Sequence, residues 1–297
     1  DMLHQSPSKD INALFEEIET LTQTVQTETE MRVLANKLLW VITSMPLKQP
    51  STVALIKEIE QKLEQKNINE DDSFFARIYY FQANGFINYV KGEFVLANTF
   101  LLKILELWKH YPHIRDSNRV LYKAHIYNYL VNCNRLGYYQ EFEQWLNKLS
   151  TVDATNYDEE ANNFINRYKI QQLYLLNTRQ FEKALELVSI IEVGLQRYKP
   201  KITKSSEMTF RFNVFITLFI NEKFVEALDW LDTMTLDNKF KGKADVLALV
   251  RIMQLVVHHD LGHARFLENA QHRLSKAEER EAVARIRTNY SKQHKAA

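Results

Sequence analysis

Lys91-Gly92-Glu93-Phe94-Val95-Leu96-Ala97 reads as a glycine turn, an aromatic two residues later, and alanine three beyond that. Variants of it return four times. They are Leu136-Gly137-Tyr138-Tyr139-Gln140-Glu141-Phe142, Thr178-Arg179-Gln180-Phe181-Glu182-Lys183-Ala184, Asn221-Glu222-Lys223-Phe224-Val225-Glu226-Ala227 and Leu261-Gly262-His263-Ala264-Arg265-Phe266-Leu267. The aromatic position falls at 94, 139, 181, 224 and, as alanine, 264, with spacings of 45, 42, 43 and 40 residues. An apolar residue follows four positions after the small one in most units: Leu101, Leu146, Val188 and Leu231. Before each turn lies an apolar helix of about 15 residues, as at 74–90, 122–136 and 164–176. Each unit is therefore helix A, tight turn, helix B. One such hairpin cannot bury its apolar face alone, but stacked neighbours can.

Working toward the N-terminus, Ser8-Lys9-Asp10 caps a helix with the stripe Ile11, Leu14, Phe15, Ile18, Leu21 and Val25. A second stripe runs Met31, Leu34, Ala35, Leu38, Leu39 and Ile42 until Pro46 and Pro50 stop it. Ser51 then caps a third, with Val53, Ile56, Ile59 and Leu63. The expected organisation is an N-terminal helix over 1–27 and a single solenoid of about five to six hairpins over 28–274. A cap helix and tail follow over 275–297, with Ala282, Val283 and Ile286 as a thin apolar face. The helices near 28–45 and 51–66 read as a degenerate zeroth repeat, with the Pro46–Pro50 loop in place of its turn. The chain begins at Asp1 with no apolar leader core, which leaves room for a missing N-terminal domain.

Composition agrees with helices. Six glycines and five prolines in 297 residues compare with about 21 and about 15 at ordinary usage. Sandwiches, barrels and parallel-sheet nucleotide folds need far more turn residues. A hydrophobic fraction of 45% supplies a core, and a net charge of +1 exerts no global pull on nucleic acid or acidic membranes. One cysteine, Cys133, permits no intrachain disulfide. Nothing reaches 18 consecutive apolar residues, so no membrane span is expected, and the expected location is the cytoplasm.

The units resemble tetratricopeptide repeats. The first matches that family best, through Phe81, Gly85, Tyr89, Gly92, Phe94, Ala97, Leu101 and Ile104; later units keep the helix B half. The period of 40–45 exceeds the family's ~34 and is closer to the tetratricopeptide-like superhelices of large bacterial proteins. The resemblance covers about residues 28–275. It implies an all-α, right-handed helical-hairpin solenoid; HEAT-like repeats, which share the period, are the alternative.

The resemblance also implies a concave groove lined by helix A. Projected onto this chain, its positions are Tyr79, Gln82, Phe86 and Tyr89, then Tyr127, Asn128, Val131 and Asn134. Asn166, Lys169, Leu173 and Asn177 follow, then Thr209, Phe212, Asn213 and Ile216. Asn can hydrogen-bond an extended peptide backbone and Tyr gives contact area at low entropy cost. The structural alternative is that the Asn residues tie neighbouring helices. The charge pattern that clamps a peptide carboxylate is absent; only Lys169 and Arg135 could serve.

Other candidates are weaker. His259 and His263 have i, i+4 spacing beside His258 and Asp260, but Gly262 breaks the face, so no metal site is expected. Arg197, Lys199, Lys201 and Lys204, and Lys239, Lys241 and Lys243, sit after helix B, where cations suit the helix dipole. No phosphate loop, nucleophile elbow or Cys-x-x-Cys pair occurs, and Cys133 reads as a small buried hydrophobe. The expected function is a non-enzymatic scaffold that holds a peptide or helix of a partner protein, without a cofactor. The alternatives are a peptide-sensing regulator whose effector domain lies outside this fragment, and nucleic-acid binding through the basic loops. Oligomeric state is open.

Overall fold

The structure, a computed structural model, describes residues 7–236 and 244–263. Among these residues every regular element is helical. The chain divides into two compact units, one ending at Glu159 and one starting at Glu160.

The first unit holds α1 (Pro7–Ser44), α2 (Pro50–Glu64), α3 (Phe74–Lys91), α4 (Phe94–His110), α5 (Pro112–Ser117), α6 (Arg119–Leu136) and α7 (Tyr139–Ser150). Packing follows chain order: α1 lies on α2 and α3, α3 on α4, α4 on α6, and α6 on α7. In the second unit are α8 (Tyr157–Asn177, starting at the border), α9 (Phe181–Arg197), α10 (Lys204–Ile220), α11 (Phe224–Leu236) and α12 (Ala244–Asp260). Here α9 packs on α10, α10 on α11, and α11 on α12.

Local chemistry sets the boundaries. Ser73 accepts from the Ala76 amide at 3.3 Å to start α3, and Thr203 accepts from the Ser206 amide at 3.2 Å to start α10. Asn156 accepts from the Glu159 amide at 3.0 Å, while the Glu159 carboxylate returns to Thr155 and fixes the first turn of α8. Each of the five motif turns ends in the left-handed conformation, at Gly92, Gly137, Arg179, Glu222 and Gly262, with φ between 58° and 82°. These positions repeat at intervals of 45, 42, 43 and 40 residues, the spacing of the aromatic motif. Glycine bears this conformation without strain; Arg179 and Glu222 adopt it at a cost.

The small motif residues Ala97, Ala184 and Ala227 are fully buried. Phe94 sits as its motif position suggests: its ring meets Tyr89 of its own hairpin at 5.3 Å and lies under the Arg135 guanidinium of the next at 4.5 Å. Asparagines reinforce the stacking. Asn132 of α6 donates to the Phe94 carbonyl at 3.0 Å, and Asn221 donates to the Phe181 carbonyl at 3.2 Å.

Three boundaries differ from the sequence reading. The N-terminal helix does not end near 27; Pro7–Ser44 is one helix of 38 residues. The apolar row changes sides of the helix near residue 28 while the backbone continues, and a periodic reading takes that phase change for a break. Helix α2 starts at Pro50, with Gln49 rather than Ser51 as the cap residue, because proline is pre-set for the first helical turn. Residues 112–117 form a short helix, α5, that the pattern of helix A, turn and helix B does not include. The loop lysines 239, 241 and 243, Ala264 to Leu267, and the cap segment 275–297 lie outside the described residues.

Candidate functional site

The A helices of the first unit, α3 and α6, carry eight of the sixteen projected groove positions. Tyr79 and Phe86 are half-buried against the cluster that Met31, Leu38, Ile59 and Leu63 form with their neighbours on α1, α2 and α3. The Arg32 guanidinium lies 6.0 Å from the Tyr79 ring. One turn beyond Phe86, Tyr89 is half-buried between Phe94 and Arg135. On α6, Tyr127 is half-buried. Burial, with a further contribution from Tyr89, pushes its phenol up to about 12. Tyr89 on α3 and Tyr127 on α6 therefore lie within electrostatic reach of each other. Asn128 is half-buried beside them in sequence, whereas Asn134 is buried.

Gln82 has a different role. Its side chain is buried and accepts from His125 Nε2 at 3.1 Å, while Trp108 Nε1 donates to His125 Nδ1 at 2.9 Å. Indole nitrogen only donates, so Nδ1 accepts and Nε2 carries the proton. The imidazole is held neutral, its pKa pushed down to about 3 by burial. This chain of three side chains joins α3, α4 and α6, so Gln82 is spent on the core. No local motif signals it: the partners stand 43 and 17 residues apart.

In the second unit Asn166 and Lys169 are half-buried on α8, and burial holds the Lys169 ammonium below its usual range. Phe212 is half-buried on α10, with its ring 6.2 Å from Phe215. Asn213 is buried, and its backbone carbonyl accepts from the Thr217 hydroxyl at 2.8 Å. Gly194 was not singled out in the sequence, yet the Phe164 ring rests directly on its backbone: a Cβ there would stand 2.0 Å from Phe164 Cε2.

The remaining candidates resolve into ordinary packing. Cys133 is fully buried, and burial pushes its thiol up to about 12, far from a reactive thiolate. His258 and His263 share a 2.9 Å contact between their Nδ1 atoms across the Gly262 turn, and His259 meets Asp260. Among the described residues no group of three or more such side chains could hold a metal ion. Arg197 is bound to Glu160 at 2.8 Å. A hollow of about 580 Å³ opens between α4 and α7, lined by Lys109, Arg115, Arg119, Tyr122, Trp145 and Lys148. Two of these four cations are paired with carboxylates: Asp116 holds Arg115 at 3.0 Å and Glu106 lies 3.7 Å from Lys109. No described helix is long and apolar enough to cross a membrane.

No protein-family model matches the chain, and no curated protein matches it in sequence. Its described residues define an all-helical architecture whose helices pack in neighbouring pairs.

Proposed function

We propose that this chain is a right-handed helical-hairpin solenoid of tetratricopeptide-like kind, and that it acts as a non-enzymatic, cytoplasmic scaffold. It holds a peptide or helix of a partner protein along the A helices. The five left-handed turns at near-constant spacing support the architecture. The observation that carries the function is the pair of half-buried tyrosines on successive A helices, Tyr89 beside Phe94 and Arg135, and Tyr127 within its electrostatic reach with Asn128 next in sequence. Tyrosine pairs beside an amide and a guanidinium offer flat contact area with donors and acceptors for a peptide backbone. Gln82, through His125, ties α3 to α6, while Asn134 and Asn213 are buried.

A photo-crosslinking amino acid at 89 or 127, introduced in the host cell, tests the reading. It should capture a discrete polypeptide that the same group at 95 on helix B, an exposed position, does not. Equal capture at all three positions, or none at 89 and 127, would overturn the proposal.

A further inference from the structure

Helix α1 carries two apolar rows on opposite sides. Met31, Ala35, Leu38 and Val41 are fully buried in the first unit's core. Ile11, Leu14, Phe15, Ile18, Leu21 and Val25 are 47–60% exposed, and Val33 and Trp40 are 57% exposed. At ~3.6 residues per turn these eight share one side of the helix, about half a turn from the buried row. Every residue from 11 to 23 is exposed, so no described element covers this arm, and an isolated helix of that length is marginal in water.

We propose that this outward row is the interface between two copies of the chain, paired antiparallel along α1. Charge favours this occupant and this orientation. About the midpoint of α1, residues 7–25 hold four acids (Asp10, Glu16, Glu17 and Glu19) against Lys9, whereas 26–44 balance Glu28 and Glu30, the latter paired with Lys66, against Arg32 and Lys37. Antiparallel pairing lays the acidic first half of each helix on the charge-balanced second half of its partner; parallel pairing would stack acid on acid. Arg32 is exposed, and Lys37, 3.9 Å from Glu58, keeps 40% of its side chain accessible. The row is also centred for a two-fold: with the axis between residues 25 and 26, Ile11 faces Trp40 and Ile18 faces Val33. Eight half-exposed side chains at roughly 100 Å² each give on the order of 800 Å² per copy, the share a standard interface buries. That exceeds the largest apolar patch of an ordinary monomer, about 300–600 Å².

Sedimentation of the full chain with cysteine pairing tests the proposal. The protein should be a dimer near about 10 µM. The variant Leu14→Ser/Ile18→Ser should weaken association by at least about 100-fold and leave the melting of the fold unchanged, since neither side chain touches the core. Cys133 is buried, so introduced thiols report alone. Val25→Cys should oxidise to a linked dimer with itself. Ile18→Cys should link to Val33→Cys in a mixture but not to itself. A monomer at all concentrations, a dimer indifferent to the serine substitutions, or self-linkage of Ile18→Cys as efficient as that of Val25→Cys would each overturn the proposal.

Discussion

Replacing Gly194 by alanine is a test in which the sign alone is decisive. Gly194 lies inside α9, where alanine is favoured over glycine by about 1 kcal/mol through helix propensity. Without a steric obstacle the substitution would stabilise the protein. The Phe164 ring is the obstacle, with Cε2, Cζ and Cδ2 at 2.0, 2.2 and 2.7 Å from the new Cβ. The ring is buried and hemmed in by Tyr198 at 5.3 Å and Phe210 at 5.4 Å. Displacing it costs about 1–3 kcal/mol of overpacking and about 1 kcal/mol of aromatic contact. After the propensity gain, Gly194→Ala should destabilise the second unit by roughly 2 kcal/mol. Phe164→Leu opens the space the methyl needs, so the double variant should be at least about 1 kcal/mol more stable than the two single effects combined predict. Hydrogen exchange in rising urea, read on peptides of α8 to α10, isolates this unit from the first. A stabilised Gly194→Ala protein, or additivity within about 0.5 kcal/mol, would refute the close approach of α8 to α9.

Other expectations follow from the same geometry. His125, ordinarily titrating at 6.5, is held neutral down to about 3 in the fold. Between those values the unfolded chain binds the extra proton, so this contribution is complete above pH 6.5 and is lost as pH falls. The slope is about 1.4 kcal/mol per pH unit; a His125→Gln protein should show a flatter stability profile between pH 6.5 and 5, and parallel profiles would contradict the assignment. Arg179→Gly and Glu222→Gly, each relieving a left-handed residue, should raise stability by about 0.5–1 kcal/mol in urea titrations. Gly92→Ala should lower it by about 1 kcal/mol from backbone strain alone, since nothing lies within 4 Å of the new Cβ. Ala97→Leu should cost about 1–3 kcal/mol by forcing side chains apart at a fully buried position.

Much of the hairpin pattern is legible in the chain, because turns and apolar periods are local. The aromatic motif locates left-handed turns even at Arg179 and Glu222, where no glycine marks them. Local periodicity also misleads at α1: two stripes on opposite sides look like two helices, since a period reports which residues share a face and not whether the backbone stops. Helix α5 is too short, at six residues, to show a period. The groove positions depend on which way each A helix is rotated. Burial of Gln82 reflects a partner that only folding brings near, His125, forty-three residues on. Gly194 is silent for the same reason, its meaning supplied by Phe164 thirty residues earlier.

Hydrogen exchange of the protein with and without the polypeptide captured at Tyr89 and Tyr127 addresses the scaffold reading most directly. New protection should appear in the A helices α3 and α6 and leave the exchange of α4 and α7 unchanged. Protection confined to α4 and α7 would contradict it.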